Sequence, residues 1–207
     1  MIRIDIEKKL KAYGGRQVLK IAAEFPAGSI TKIYGPSGAG KTTFLKIIAG
    51  LVTPEKGKIT VNDMTWLDTN AGISLSTQKR KTGFVFQNYA LFPNMNARQH
   101  LEYGTTDKAW TQQLLALGKL ETLSGHKPEH LSGGQQQRLA ILRALSIKPG
   151  LLLMDEPFSA LDQEMRSELI RELQKLWKET GMTVLIVTHN PHELDEIADQ
   201  ELFIEGR

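Results

Sequence analysis

A glycine-rich loop is the segment of this sequence whose chemistry is clearest. It reads Gly35-Pro36-Ser37-Gly38-Ala39-Gly40-Lys41-Thr42, between a strand-like run at 29–34 and a helix-like segment at 41–50. Glycines let backbone N–H groups approach phosphate oxygens, and a helix N-terminus favours the same anion. Lys41 supplies a charge for the β and γ phosphates, and Thr42 a hydroxyl for Mg²⁺. The loop therefore predicts a nucleoside triphosphate site.

Two adjacent carboxylates form the second candidate group. Asp155 and Glu156 follow the apolar run Leu151-Leu152-Leu153-Met154, which is typical of a strand buried on both faces. At the end of such a strand, Asp155 could hold Mg²⁺. Glu156 could act as a general base or orient the attacking water. Taken alone, the pair is equally consistent with an acidic turn that ends at Pro157.

A second phosphate-binding element lies in Leu131-Ser132-Gly133-Gly134-Gln135-Gln136-Gln137-Arg138. Ser132, Gly133 and Gly134 precede a helix predicted to begin near Gln135, so its N-terminus also favours an anion. One chain thus has two phosphate-binding surfaces, although one nucleotide needs only one of them.

Composition limits the function classes. The chain has 207 residues, no cysteine, and a net charge of +3 from 26 basic and 23 acidic residues. Without cysteine there is no disulfide or thiol chemistry. No long basic block is present, so charge does not predict nucleic acid as a partner. No run approaches the roughly 18 apolar residues that span a bilayer, and the tryptophans are interpreted as packing residues.

The pattern of elements predicts an α/β fold. Strands are predicted at 2–7, 17–25, 29–34, 58–62, 83–87, 151–154, 183–188 and 202–204. Helices are predicted at 41–50, 109–117, 135–145 and 162–180, with another beginning at Asn190. Alternation of strands and helices indicates a mostly parallel sheet flanked by helices. We expect one domain over 1–207, with an N-terminal antiparallel β subdomain and an inserted helical subdomain at 88–146; residues 63–82 stay unassigned.

Taken together, these motifs resemble the ATP-binding subunits of ABC transporters, with a P-loop NTPase core, over nearly the whole chain. The family's motifs stand in order: 35–42, Gln87, 131–138, 151–157, Ser159-Ala160-Leu161-Asp162 and His189. The resemblance implies that Gln87 contacts Mg²⁺, the attacking water and the membrane partner, and that His189 contacts the γ-phosphate. It also implies that Asp162 lies at a dimer interface and that Tyr13 stacks on adenine.

Each of these roles has a plainer alternative. Without the family context, Gln87 would more simply satisfy a strand end, and His189 would be a residue near a helix start. Tyr13 could be an ordinary aromatic neighbour of the Gly14-Gly15 turn.

The resemblance further implies an assembly in which two copies join head to tail. Each ATP then lies between the Lys41 loop of one copy and the Ser132 loop of the other. Catalysis is assigned to Glu156, His189, Gln87 and Lys41, and Mg²⁺ to Thr42, Gln87 and Asp155. The implied nucleotide contacts are Tyr13, Gly35, Pro36, Ser37, Gly38, Ala39, Gly40, Lys41, Thr42, Thr43, Ser132, Gly133, Gly134, Gln135 and Asp162.

The direction of transport rests on a looser likeness. Residues 79–93 look like importer ATPases for oxyanions, and Leu101-Glu102-Tyr103-Gly104 is similar to molybdate-type ATPases. This implies solute import, of molybdate or another small anion, with permease subunits, a solute-binding protein and a place at the cytoplasmic membrane face. An export or lipoprotein-release ATPase and a soluble, non-transport ABC ATPase stay open as alternatives.

Overall fold

The computed structural model describes residues 1–12, 15–190 and 192–205. Two five-stranded sheets form its framework, one antiparallel and one parallel. The predicted α/β class is confirmed.

The antiparallel sheet is built mainly from the N-terminal third of the chain. Its strands are β1 (Ile2–Ala12), β2 (Gly15–Phe25), β4 (Lys56–Val61), β5 (Met64–Asp68) and β6 (Ile73–Ser74). They lie in the order β2-β1-β4-β5-β6. Apolar and charged residues alternate along β1, and this alternation buries one face of the sheet and leaves the other in solvent.

Strand β5 lies in the segment that the sequence pattern left unassigned, and it forms a hairpin with β4, which corresponds to the predicted strand at 58–62. Its turn is Asn62-Asp63, where φ is 47° and 64°. Two consecutive positive φ angles characterise the type I′ turn that joins hairpin strands, and Asn and Asp tolerate them. The dipeptide was thus a signal for this hairpin. Trp66 and Leu67 on β5 are buried.

The parallel sheet determines where the loops meet. Its strands are β3 (Ile30–Tyr34), β7 (Gly83–Val85), β8 (Leu151–Asp155), β9 (Thr183–Val187) and β10 (Gln200–Phe203). Their order is β10-β3-β9-β8-β7, and all four pairings are parallel. The carboxyl ends of all five strands therefore lie along one edge of the sheet.

Six α-helices and one 3₁₀ turn complete the described elements. The helices are α1 (Lys41–Ala49), α2 (Thr77–Arg80), α3 (Ala97–Glu102), α4 (Lys108–Leu117), α5 (Gly133–Ser146) and α6 (Gln163–Thr180), and the 3₁₀ turn is Pro128–His130. α3, α4 and α5 lie between β7 and β8 in the chain, within the predicted insertion. The subdomain bounds at 88 and 146 stay a prediction. No helix in the described ranges is long and apolar enough to cross a membrane.

Helix α1 packs between the two sheets. Its Phe44, Leu45 and Ile48 share one apolar cluster with Ile4 of β1 and Leu153 of β8. The opposite face of the parallel sheet packs against α5 and α6 in a second cluster. Leu151 and Leu153 point into the first cluster, whereas Leu152 and Met154 point into the second. This confirms that β8 is buried on both faces. Trp66, Trp110 and Trp177 are buried as predicted.

Two predicted helix starts need correction. The helix predicted near Gln135 begins at Gly133, because Ser132 is its N-cap and forms a reciprocal capping box with Gln135. The helix predicted from Asn190 is wrong: residues 192–197 form turns. There the Asn190 Oδ1 atom accepts from the His192 N–H, and Glu193 accepts from Thr188 Oγ1 at 2.6 Å. These side chains serve a local turn and an ion pair with Arg166, not a helix cap.

Arg80 anchors the carboxyl end of α1 from inside the protein. Only 5% exposed, it donates to the carbonyl oxygens of Ile47 at 2.9 Å, Ile48 at 2.7 Å and Leu75 at 2.9 Å. Its guanidinium also lies 5.7 Å from the centre of the Trp66 ring. Burial lowers its pKa, but an arginine stays charged at any ordinary pH. A cation here complements the negative end of the helix dipole.

We expect Arg80→Met to lower the free energy of unfolding by about 2–4 kcal/mol, because two buried carbonyls and one partly buried carbonyl lose a charged donor. Chemical denaturation would measure this loss. Arg98→Met is the matched control: the Arg98 side chain is 40% exposed and lies 4.0 Å from Glu102, so its loss should cost under about 1 kcal/mol. Equal losses in the two variants would contradict the role of Arg80.

Candidate functional site

The glycine-rich loop connects the end of β3 to the start of α1. Gly38 and Gly40 have φ angles of 80° and 95°, in the region that glycine adopts without a steric cost. This backbone brings the loop round to the N-terminus of α1, where the first helical N–H groups have no intrahelical acceptor. The Lys41 side chain folds along the loop and donates to the carbonyls of Gly35 at 2.7 Å and Pro36 at 2.9 Å.

Lys41 is a buried cation, 5% exposed. Burial lowers the pKa of its ammonium group, and the nearby carboxylates of Glu156 and Asp155 oppose that shift. A buried cation beside backbone donors forms a site for an anion with several oxygens, such as a polyphosphate.

Asp155 lies at the end of β8 and is 2% exposed. Burial raises the pKa of its carboxyl group; a hydrogen bond with the Thr42 side chain and the charges of Lys46 and Lys41 act in the opposite direction. Within the described part of the chain, its Oδ1 atom is buried without a hydrogen-bond partner. Because a buried polar atom without a partner is costly, this oxygen is a candidate for binding an ion. A buried carboxylate oxygen beside a threonine hydroxyl fits Mg²⁺, which prefers oxygen ligands.

Glu156 is held by two side chains from other strand ends. Gln87, after β7, donates from Nε2 to Glu156 Oε2 at 3.1 Å. His189, after β9, contacts Glu156 Oε1 through Nε2. Both carboxylate oxygens are therefore engaged, which restricts rotation of the group. Glu156, Gln87 and His189 line the same cleft as Gly38, Gly40, Lys41, Thr42 and Thr43.

The segment after Gln87 is fixed by an arginine from α5. Tyr89 and Ala90 have φ angles of 62° and 48°, an uncommon backbone for residues other than glycine. Arg143 donates to both of their carbonyls, to Tyr89 at 2.9 Å and to Ala90 at 2.5 Å. Helix α5 thus holds the loop that presents Gln87.

The cleft brings together nine of the predicted site residues: Ser37, Gly38, Gly40, Lys41, Thr42, Thr43, Gln87, Glu156 and His189. Several other predicted residues are not among the described residues that line it: Gly35, Pro36, Ala39, Asp155, Asp162 and those of the second phosphate-binding element. Ser132 and Gly133 are exposed at the start of α5, and Asp162 is the N-cap of α6, accepting from the Met165 N–H at 2.9 Å. Tyr13 lies outside the described residues.

Leu10 also lines the cleft, and sequence reasoning missed it. The signal was present: Leu10 continues the alternation of Ile2, Ile4 and Ile6 along β1 after an interruption at Lys8. The prediction of strand 2–7 stopped too early to include it.

The chain is similar to proteins of known class. A family model described as ABC transporter matches residues 18–159. The molybdenum import ATP-binding protein ModC of Photorhabdus laumondii is 39% identical over all of this chain and 58% of its own length. The sulfate/thiosulfate import ATP-binding protein CysA of Synechocystis sp. is 42% identical over 95% of this chain and 56% of its own length. The chain thus spans little more than half the length of these relatives.

A solved structure shares the fold. The ATP-binding cassette MJ0796, in a dimeric post-hydrolysis state bound to ADP and Pi, superposes with a TM-score of 0.83. It is 30% identical in sequence, and the match covers 100% of this chain and 97% of that one.

We expect Asp155→Asn to separate stability from Mg²⁺ binding. The substitution removes a buried charge, so the free energy of unfolding should stay equal or rise, since burying an ionised carboxylate is costly. The added thermal stabilisation that Mg²⁺ gives to the chain with ATP should disappear, and thermal unfolding with and without Mg²⁺ measures it.

Asp63→Asn makes the same chemical change at an exposed hairpin turn and should leave the Mg²⁺ effect intact. An undiminished Mg²⁺ effect in Asp155→Asn would remove Asp155 from the proposed ligand set.

Proposed function

This chain belongs to the ABC transporter family, and we propose that it is the ATP-hydrolysing subunit of a transporter whose membrane-spanning part lies on separate chains. The observation that carries the proposal is the cleft in which one carboxylate, Glu156, is held from both sides directly beside the Lys41 loop. This arrangement supports hydrolysis as well as binding, because it combines a phosphate cradle with an oriented base.

Each group in the cleft has a role that follows from its position. The loop amides and Lys41 bind the β and γ phosphates of ATP. Thr42, Asp155 and Gln87 would hold Mg²⁺, which neutralises phosphate charge when bound. Glu156 accepts a hydrogen bond from the attacking water and withdraws its proton, or orients it. Gln87 and His189 keep the carboxylate directed at that water.

His189 has a second role in this proposal. It is exposed and reaches the cleft from the end of β9, on the side of Glu156 opposite to Gln87. When both of its ring nitrogens carry a proton, the imidazole can donate from Nε2 to Glu156 and from Nδ1 to the γ-phosphate.

The site is completed by a second copy of the chain. The N-terminus of α5 has an anion-binding geometry, yet it does not line the cleft among the described residues. A Cβ atom built on Gly133 would meet no atom within 4 Å. Packing within the chain therefore does not require a glycine there, whereas close approach of a nucleotide does. The dimer of MJ0796 bound to ADP and Pi supports this assembly.

In the assembled dimer, each ATP lies between the Lys41 loop of one copy and Ser132, Gly133, Gly134 and Gln135 of the other, with Asp162 at the interface. A two-fold axis produces this site twice. ATP then favours closure, and hydrolysis weakens it.

The transported solute is proposed from the relatives. Proteins named for molybdenum import and for sulfate/thiosulfate import match this chain along 95% or more of its length. Both names describe import, and sulfate and thiosulfate are small oxyanions, in agreement with the likeness of residues 79–93 to importer ATPases for oxyanions. We therefore favour import of molybdate, sulfate or a similar anion, through permease subunits and a solute-binding protein. The chain would then lie at the cytoplasmic face of the membrane.

We expect Glu156→Gln to reduce ATP hydrolysis by about 100-fold or more, because an amide cannot take the proton of the attacking water. ATP should still bind, and the variant should accumulate as an ATP-bound dimer. Phosphate release gives the rate, and light scattering coupled to size exclusion gives the mass. Lys41→Ala is the comparison: it should lose ATP affinity and stay monomeric. Hydrolysis at the parent rate in Glu156→Gln would show that Glu156 is not the general base.

Gly133→Asp should prevent ATP-driven dimerisation without destabilising the single chain. An acidic residue in the first turn of α5 suits the helix dipole, and Gly133 has open space around it. In the dimer the same charge would face ATP phosphates and repel them. Gly125→Asp is the control, because Gly125 has equal open space but lies outside α5. In the Glu156→Gln background, equal dimer fractions for the two variants would contradict the assembly.

A further inference from the structure

Gln137 is a buried amide that the roles above leave unused. It lies in the second turn of α5, shortly after the Ser132 cap, and is 1% exposed. A buried amide costs free energy unless its donors and acceptor are satisfied. Here the partners lie on the segment of the chain that begins at Glu156.

Three hydrogen bonds join Gln137 to the segment that follows β8. Its Nε2 atom donates to the Glu156 carbonyl at 3.2 Å and to Ser159 Oγ at 3.2 Å. Its Oε1 atom accepts from the Ala160 N–H at 2.9 Å. The side chain thus bridges the helix that starts at Ser132 to the backbone of the catalytic residue.

The backbone of Glu156 needs such support. Its φ is 51°, in the left-handed region that glycine favours. Its N–H donates to the Val187 carbonyl at 2.9 Å, and its carbonyl accepts from Gln137 and from Ser159 Oγ at 3.2 Å. An unfavourable backbone persists where surrounding bonds determine it. Removing the Gln137 bond leaves this carbonyl with Ser159 as its side-chain donor, so the peptide is held less firmly and the direction of the carboxylate is less well fixed.

The start of α5 also packs directly on the same segment. A Cβ atom on Gly134 would lie 3.3 Å from the Ala160 carbonyl and 3.2 Å from the Leu161 side chain. The Ser132 helix start and residues 156–161 therefore form one packed unit, with Gln137 as its polar bridge.

We propose that Gln137 is a positioning residue that ties Glu156, which serves the ATP on this chain's own loop, to the Ser132 helix start, which serves the ATP on the partner's loop. The inference rests on the dimeric ATPase proposed above and deepens it. When the ATP on the partner's loop displaces α5, the Gln137 amide transmits the movement to the Glu156 carboxylate. That carboxylate acts on the ATP of this chain's own loop. The bridge thereby couples the two ATP sites of the dimer.

The test uses Gln137→Glu, which keeps the shape but replaces the donating NH₂ with an oxygen. At neutral pH the introduced carboxylate would face the Glu156 carbonyl without a proton to share. We expect kcat to fall at least about 10-fold, the loss associated with one misplaced catalytic group. The affinity of the single chain for ATP should stay within about 2-fold, because no ligand of the nucleotide changes. The Hill coefficient for ATP should fall toward 1.

A pH series distinguishes positioning from general loss of structure. Once protonated, the carboxyl group introduced by Gln137→Glu can donate to the Glu156 carbonyl, as the amide does, whereas the thioether of Gln137→Met never can. The ratio of kcat for Gln137→Glu to kcat for Gln137→Met should therefore rise as pH falls from about 8 toward about 6, because burial raises the pKa of a carboxyl group. Thr111→Val, which removes the hydrogen bond from a fully buried threonine on α4 to the Asp107 carbonyl, should change stability but leave kcat and the Hill coefficient near the parent values.

Three results would overturn the inference: a kcat within about 2-fold of the parent in both Gln137 variants, a pH-independent ratio, or a loss that Thr111→Val shares. If Gln137→Glu does not fold, Gln137→Met decides through kcat, ATP affinity and the Hill coefficient. Failure of the proposed function itself has a different signature, since the parent chain would then neither hydrolyse ATP nor dimerise with it.

Discussion

The parallel arrangement of β3, β7, β8 and β9 is the constraint on which the site depends. Because these strands run in one direction, their carboxyl ends meet at one edge of the sheet. The Lys41 loop follows β3, Gln87 follows β7, Glu156 follows β8 and His189 follows β9. Four segments far apart in the chain thus supply one cleft. The apolar packing that holds α1 and α5 on opposite faces of the sheet keeps this edge in place.

Glu156 shows how the fold controls a single carboxylate. Its side chain is held by Gln87 and His189, and its main chain by Val187, Ser159 and Gln137. Three of these partners belong to the ends of the neighbouring strands β7 and β9, Ser159 lies in the loop that Glu156 begins, and Gln137 belongs to α5. The orientation of this carboxylate therefore depends on the sheet and on the helix together. In the proposed dimer, this joint support would make hydrolysis depend on how the two copies meet.

Much of the fold could be predicted from local patterns. Local signals marked β8 by its apolar run and β1 by its alternation. They also marked the end of α1 by Gly50, its C-cap, whose φ is 79°. Prediction failed where local signals competed. Asn190 and Glu193 resemble a capping box, but Thr188 and Arg166, both outside that segment, use the Glu193 carboxylate instead. The strand before the Asn62-Asp63 turn is predicted, yet the mixed polar segment after the turn concealed β5.

The sequence by itself determined the candidate motifs. The glycine-rich loop, the acidic pair and the second glycine-containing helix start are contiguous, and each is recognised from its own neighbours alone. Only the tertiary structure decided which of them share a cleft. It placed Gln87 and His189 on the two carboxylate oxygens of Glu156 and Gln137 on the Glu156 carbonyl. It left the Ser132 helix start out of the described lining of the cleft. These contacts join residues 19 to 69 positions apart in the chain. Such pairings depend on strand order and helix packing, and a pattern of neighbouring residues contains no information about either.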